Sequence, residues 1–189
     1  ATAVVTINVR PLEAKPRLQQ AVSSREVTAG SLVSYTLTVT NIGQLPVIDG
    51  RLICAVAFQG RIACFDMAQG GTQIWGRDFS SAAGLALDNR FLFVTDDRGA
   101  VHALDRNSGA SLWKQDKLLN RRVSGPAVQR GVVAVADGEG IVHFLSREDG
   151  SFVARQKIDG TRVRTPVQTL GSGFLVQTTG GSVVAIEAQ

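Results

Sequence analysis

The sequence is poor in several residue types that mark particular classes of protein. Its 189 residues include two cysteines, two histidines, one methionine and two tryptophans, and aromatic residues make up 6% of the chain. The longest apolar run, residues 52–58, is far shorter than the roughly 20 residues that a transmembrane helix needs. We therefore predict no membrane-spanning segment, and the first residues also lack the charged start and apolar core of a signal peptide.

The excess of basic residues is small. Lysine and arginine number 20 against 16 aspartates and glutamates, which gives a net charge of +4. Basic residues are not interleaved with aromatic ones, as is typical of nucleic-acid-binding surfaces. The sequence contains no nucleotide-binding loop, metal-ligand cluster or catalytic-triad spacing. From these absences we expect no bound nucleic acid, metal or cofactor.

The two cysteines, Cys54 and Cys64, flank a turn at Gln59-Gly60. If this turn has two residues, Cys54 faces Phe65 and Ala55 faces Cys64, so the thiols point to opposite faces of the sheet. We therefore expect the cysteines to be unbonded and to serve as small buried side chains.

Glycine is abundant, and the glycines recur at a regular interval. Aligning the chain on Gly60, Gly99, Gly140 and Gly181 gives a unit of about 40 residues that repeats four times. Each complete unit reads as four short strands, with an apolar second strand and X-Gly hairpin turns. This pattern is typical of a β-propeller. We predict an all-β fold of four propeller blades, the last one incomplete, in units 46–84, 85–125, 126–165 and 166–189.

The repeat also accounts for the tryptophans and histidines. Trp75 and Trp113 occupy the same place in successive units, which favours packing between blades over a ligand platform. His102 and His143 are likewise equivalent, and no nucleophilic Ser or Cys motif accompanies them. Both pairs are therefore predicted to be structural.

The units resemble PQQ-like repeats and, more closely, the BamB family of β-propeller lipoproteins. The resemblance is carried by Leu112-Trp113-Lys114, by GEGIVHFLSREDGSFVARQKIDG from Gly138 and by the final GGSVVAIEAQ. It implies a non-enzymatic, eight-blade scaffold at the periplasmic face of the outer membrane. It also implies that the partners are the periplasmic domains of the central barrel-assembly protein. The family's lipidated N-terminal cysteine and its Asp-x-Asp pair before Pro46 do not occur in this sequence.

The loops that link one unit to the next carry four arginines: Arg121, Arg122, Arg162 and Arg164. Arg122 and Arg162 each lie four residues before the proline that opens the next unit, so we expect them to meet near one mouth of the propeller channel. Clustered arginines favour an acidic partner. We predict these four residues as the partner-binding site.

Residues 1–45 differ from the repeats. Their segment TAGSLVSYTLTVTNIG resembles the Ig-like modules of bacterial surface proteins, and its alternating apolar residues predict a strand over residues 33–40. Alternatively, this strand supplies the missing outer strand of the fourth unit, within one chain or in a homodimer that closes an eight-blade ring. Two other functions stay open: a cell-surface adhesion or structural module, and a recombined gene product without a settled role.

A quinoprotein dehydrogenase is a further alternative, because PQQ-like repeats take their name from such enzymes. Those enzymes need an adjacent cysteine pair, a stacking tryptophan and carboxylates for Ca²⁺. Here Cys54 and Cys64 are separated in sequence, and both tryptophans occupy repeat positions. The sequence argues against this activity.

Overall fold

The computed structural model consists of short β-strands joined by tight loops. It describes residues 45–163 and 165–187, and the backbone of residues 3–10, 18–22 and 33–40. Within these ranges the only helical element is the 3-10 turn Met67–Gln69. No helix in this part of the chain is long and apolar enough to span a membrane. The predicted all-β class is confirmed.

The first three strands form a sheet of their own. They are β1 (Ala3–Arg10), β2 (Leu18–Val22) and β3 (Val33–Thr40), and their order is β1-β3-β2. Strand β3 pairs in parallel with β1 and antiparallel with β2. Both hydrogen-bonding edges of β3 are thus occupied, so it has no free edge with which to complete the fourth unit. In this sheet residues 33–40 therefore pair with β1 and β2 and not with the fourth unit, and a closing role for residues 1–45 stays a prediction.

The strands from residue 47 onward form four consecutive antiparallel sheets, which are the blades. Blade 1 contains β4 (Val47–Asp49), β5 (Leu52–Val56), β6 (Gly60–Asp66) and β7 (Thr72–Phe79). Blade 2 contains β8 (Leu85–Leu87), β9 (Phe91–Thr95), β10 (Val101–Asp105) and β11 (Ser111–Gln115). Blade 3 contains β12 (Ala127–Gln129), β13 (Val132–Ala136), β14 (Ile141–Ser146) and β15 (Phe152–Lys157). Blade 4 contains three strands, β16 (Gln168–Leu170), β17 (Gly173–Gln177) and β18 (Val183–Glu187).

Successive blades pack against each other. We call the side of a blade that faces the following blade its far face, and the side that faces the preceding blade its near face. The first strands touch in series, β4 with β8, β8 with β12, and β12 with β16. One apolar cluster fills each space between blades; members from the two sides include Trp75 and Leu92, Phe93 and Val135, and Phe144 and Phe174. Each buried side chain of this size contributes about 1.5–3 kcal/mol, so the interfaces between blades hold the fold together.

Two tryptophans fix the outer rims of these interfaces. The Trp75 indole lies against Gly109 of blade 2, where an added Cβ would come within 2.4 Å of the ring, and its Nε1 donates to the Arg106 carbonyl at 2.8 Å. Trp113 lies against Gly150 of blade 3 in the same way. The predicted role of both tryptophans in blade-to-blade packing is confirmed.

The two histidines also occupy equivalent places, as predicted. His102 Nε2 lies 2.9 Å from Asp96 Oδ2, and His143 Nε2 lies 2.8 Å from Asp137 Oδ2. Each aspartate also accepts a hydrogen bond from a backbone amide of its own hairpin loop, that of Arg98 or Glu139. The Asp–His pair therefore ties the loop between the second and third strands to the sheet.

The prediction for the cysteines is wrong, because Cys54 and Cys64 form a disulfide with Cα atoms 4.1 Å apart. The loop between β5 and β6 has three residues rather than two, since the Ala57 amide donates to the Arg61 carbonyl at 2.9 Å. One additional loop residue shifts the register by one and places Cys54 opposite Cys64. Both side chains are buried in the interface with blade 2.

The corresponding loops of the other blades have the same length. In each, the amide before the loop donates to the carbonyl after it, and a glycine with positive φ stands at the third loop position. These glycines are Gly99 (φ 97°), Gly140 (φ 73°) and Gly181 (φ 94°). In blade 1 the left-handed residue is instead Gln59, at the second loop position, with φ of 52°. Glycine adopts a left-handed conformation without steric cost.

Candidate partner-binding site

The linkers between blades meet the hairpin loops of the following blades. At each of these contacts, a linker carbonyl accepts a hydrogen bond from a hairpin-loop amide. The pairs are Ser80 O with Asp97 N (3.1 Å), Arg121 O with Gly138 N (2.8 Å) and Arg162 O with Thr179 N (2.8 Å). By this pattern Arg121 and Arg162 occupy equivalent positions.

This equivalence differs from the one that we obtained by counting back from the prolines, which pairs Arg122 with Arg162. Arg121 and Gly138 are as far apart in the sequence as Arg162 and Thr179, so the linkers have the same length and Pro126 and Pro166 are not equivalent positions. Arg122 has a left-handed conformation, with φ of 56°. Its counterpart in the next linker is Val163, the residue after Arg162, and not Arg162 itself.

A cavity of about 480 Å³, which we call the linker cavity, opens between these segments. Its lining comes from three linkers and one hairpin loop: residues 82–83, 96–99, 120, 122–125 and 162–163. Arg98, Arg122 and Arg162 bring positive charge to the lining, and Asp96 and Asp97 bring negative charge. The cavity is polar and suits a charged group of a protein partner.

Buried hydroxyl groups hold the walls of the linker cavity in place. Ser81 Oγ donates to the Thr95 carbonyl at 2.5 Å, and Thr95 Oγ1 donates to the Ser124 carbonyl at 2.9 Å. Gly125 lies so close to the neighbouring linker that an added Cβ would come within 2.3 Å of the Ala83 carbonyl oxygen. The cavity is thus built on closely packed backbone, which keeps its side chains in fixed positions.

Arg121 is already neutralised by acidic residues of blade 3. Its Nε donates to Asp137 Oδ2 at 2.8 Å, and its guanidinium also lies 2.7 Å from Glu139 Oε2. Burial alone would raise the pKa of the Asp137 carboxyl, but hydrogen bonds, first from His143 and then from the Ile141 amide and Arg121, lower it below its ordinary value. The charge of Arg121 is therefore balanced inside the chain.

Arg162 lacks the two acidic neighbours of its counterpart Arg121, because Thr178 and Gly180 stand at the places of those carboxylates. Its Nε is buried and has no hydrogen-bond partner in the part of the chain that the structure describes. A buried N–H without an acceptor has lost its hydrogen bond to water and gained nothing in return. Arg162 is therefore suited to receive an acceptor from another molecule.

The other predicted arginines differ in their environment. Arg122 lines the linker cavity, and no hydrogen bond or ion pair joins its side chain to the described residues. Arg164 lies outside the described residues. Arg98 is a third cation of the cavity that sequence reasoning missed, because it belongs to a hairpin loop; the Asn120 amide donates to its carbonyl at 2.8 Å and brings that loop to the linker.

Comparison with known families identifies the kind of propeller. The family described as "Outer membrane protein assembly factor BamB" matches residues 6–115 and 98–189. The chain belongs to the BamB family. The BamB match begins within residues 1–45, the segment for which the sequence suggested an Ig-like origin.

Curated relatives agree with the BamB assignment. The outer membrane protein assembly factor BamB of Bordetella pertussis is 48% identical over 150 residues, which cover 79% of this chain and 39% of that protein. The BamB of Escherichia coli strain K12 is 31% identical over 170 residues, which cover 90% of this chain and 41% of that protein. The crystal structure of BamB from Moraxella catarrhalis has a TM-score of 0.73 at 24% identity, over 78% of this chain and 45% of that chain. The chain thus spans about two fifths of the length of these curated relatives.

Proposed function

We propose that this chain acts as a non-enzymatic, protein-binding part of a scaffold for outer-membrane protein assembly. Its membership of the BamB family and the names of its curated relatives support this role. The partner that the family resemblance implies is the periplasmic domains of the barrel-assembly protein, at the periplasmic face of the outer membrane. The chain contributes blades and a linker cavity to that scaffold.

We propose that the partner places a carboxylate in the linker cavity. The observation that carries this proposal is Arg162, whose buried Nε is unsatisfied although the equivalent Arg121 binds two carboxylates. Arg122 adds a second cation whose side chain forms no ion pair with the described residues. A guanidinium binds a carboxylate through parallel, charge-assisted hydrogen bonds. A part for Arg164 in partner binding stays a prediction. Arg121 is left out of the proposed site because it already pairs with Asp137.

Charge reversal of Arg162 or Arg122 tests this site. We expect Arg162→Glu and Arg122→Glu each to weaken binding at least about tenfold, because a carboxylate opposite a carboxylate replaces a charge-assisted hydrogen bond. Isothermal titration of the chain with the periplasmic domains of the barrel-assembly protein measures the change. Arg130→Glu is the matched control, since Arg130 is an exposed arginine with positive φ in the loop between β12 and β13. Unchanged affinity in Arg162→Glu, or an equal loss in the control, would reject the site.

The homodimer that would close an eight-blade ring can be judged from the exposure of the two blade faces that it would bring together. Closure would pack the far face of blade 4 on the near face of blade 1 in a second copy. Val183, on the first of these faces, is 61% exposed, whereas Ile53 and Phe65, on the second, are 1% and 3% exposed within one chain. We therefore propose the monomer as the binding unit. Light scattering that gives twice the mass of the chain would favour the ring.

A further inference from the structure

The hairpin loop of blade 2 repeats an arrangement of blade 3 but lacks one of its cations. Asp96 and Asp137 occupy equivalent positions, and each carboxylate accepts two backbone amides at Oδ1 and lies against a histidine at Oδ2. Asp137 Oδ2 also accepts a hydrogen bond from Arg121 of the preceding linker at 2.8 Å. Asp96 Oδ2 has no second donor of this kind among the described residues.

The cation is missing because Ser80 stands at the place of Arg121 in the linker before blade 2. The Ser80 carbonyl accepts the hydrogen bond from the Asp97 amide that identifies this position in every linker. The Ser80 hydroxyl accepts a hydrogen bond from the Gln59 amide of blade 1 at 2.9 Å. Ser80 therefore brings no positive charge to Asp96.

Without this cation, the Asp96 carboxylate is open to the linker cavity. The Asp96 side chain lines the cavity and is 17% exposed, whereas the Asp137 side chain, which lies against Arg121, is 0% exposed. Asp97 lines the same cavity, and no hydrogen bond or ion pair joins its side chain to the described residues. Two carboxylates thus face the cavity without a lysine or arginine of the described chain paired to them. Opposite charges attract more strongly at such a half-buried site than in bulk water.

The other half of the Arg121–Asp137 pair is also present in the linker cavity. Arg162 lines the cavity, and Thr178 stands at the place of its carboxylate partner, so its buried Nε has no acceptor among the described residues. No ion pair joins Arg162 to Asp96 or Asp97 in the part of the chain that the structure describes. The cavity therefore offers an acidic site without its arginine and an arginine without its acid.

We propose that Asp96 and Asp97 bind an arginine side chain of the protein partner, in the manner in which Arg121 is bound in blade 3. A guanidinium suits this site because that of Arg121 donates to carboxylates through two of its nitrogens. The partner segment then carries both charges, an arginine for this site and a carboxylate for Arg162. The inference rests on the proposed function for the partner, whereas the cation site itself stands on the comparison of blades 2 and 3.

N-acetyl-argininamide tests the cation site without the partner, because it has one guanidinium and no carboxylate. We expect it to shift the imidazole resonances of His102, which contacts Asp96, in a saturable way on the full chain. Ser80→Arg places a guanidinium at the linker position of Arg121 and should weaken this binding at least about tenfold. Ser111→Arg, which adds the same charge at an exposed position of β11 outside the cavity, is the matched control. No saturable shift, or equal binding by Ser80→Arg and the control, would overturn the proposal.

Asp97→Asn distinguishes two kinds of partner by the sign of its effect. If the partner brings an arginine, the substitution should weaken binding of the periplasmic domains of the barrel-assembly protein at least about threefold. If the partner brings carboxylates alone, removal of this anion should strengthen binding, and that result would contradict the proposal, as would unchanged affinity. Asp78→Asn is the control, since the Asp78 side chain is 95% exposed and lies outside the cavity lining.

Arg162→Glu separates this inference from the function proposed above. It acts on the carboxylate site, so it should weaken binding of the periplasmic domains but not that of N-acetyl-argininamide. If the domains do not bind the unmodified chain while N-acetyl-argininamide binds at Asp96, the cation site is supported and the proposed partner is wrong. Loss of N-acetyl-argininamide binding in Arg162→Glu would contradict a cation site at Asp96 and Asp97.

Discussion

Replacing Trp113 by alanine is expected to lower the free energy of unfolding by about 3–5 kcal/mol. The indole is buried between blades 2 and 3, with its ring centroid 5.8 Å from that of Phe93, and its Nε1 donates to the Arg147 carbonyl at 2.9 Å. The substitution opens a cavity at the rim and leaves that carbonyl without its donor. Urea unfolding followed by far-ultraviolet circular dichroism measures the change.

Leu112→Ala is the matched control for this substitution. Leu112 precedes Trp113 in β11 but is 44% exposed, because adjacent strand residues point to opposite faces. Its removal should change the free energy of unfolding by less than about 1 kcal/mol. Similar losses in the two variants would show that the indole has no special part in joining the blades.

Replacing Asp137 by asparagine is expected to lower the free energy of unfolding by about 3–5 kcal/mol, because it breaks a buried ion pair from one side. The carboxylate is fully buried; it accepts a hydrogen bond from Arg121 and lies 2.8 Å from His143 Nε2. It also accepts from the amides of Glu139 and Ile141, at 2.9 and 3.0 Å. An asparagine amide removes the charge and turns an N–H₂ group toward other donors. Urea unfolding at neutral pH measures the loss.

Glu139→Gln is the control, since it removes the other carboxylate of Arg121 at a side chain that is 67% exposed. An exposed ion pair contributes at most about 1 kcal/mol, so the control should remain close to the unmodified chain. Equal effects of the two substitutions would contradict a special role for the buried Asp137–Arg121 contact.

The unmodified chain and the Asp137→Asn variant should also differ in how their stability depends on pH, and the sign of this difference can be derived. The pKa of Asp137 in the folded chain is lowered, so it lies below the value of about 3.9 expected in the unfolded chain. The stabilisation by this carboxylate is therefore complete above about pH 4 and is lost as the pH falls through the folded pKa. We expect the difference in unfolding free energy between the unmodified chain and Asp137→Asn to shrink below about pH 4. A difference that grows in acid would contradict this assignment.

The blades could be predicted because their signals repeat. A glycine at the end of each hairpin loop and a tryptophan at the same place in two units remain visible when single strands are ambiguous. The register of the first hairpin could not be predicted in the same way. A loop of two residues and a loop of three both end in glycine, and this one residue decides whether Cys54 meets Cys64.

The roles of the arginines could be predicted only in part from the sequence. Arg121, Arg122 and Arg162 look alike in a linker, but their charge balance depends on the hairpin loop of the following blade. There Asp137 neutralises Arg121, while Thr178 leaves Arg162 unpaired. Counting from the nearest proline does not reveal this, because Pro126 and Pro166 occupy different positions in the repeat and the acidic residues come from another part of the chain.

The side-by-side packing of the blades underlies the fold and the linker cavity. A nuclear Overhauser spectrum of the chain in solution tests this packing most directly. We expect cross-peaks between the indole protons of Trp75 and the Hα protons of Gly109, and between those of Trp113 and Gly150, which lie against the rings. If both sets were missing while the cross-strand peaks within each blade were present, the blades would not pack as described.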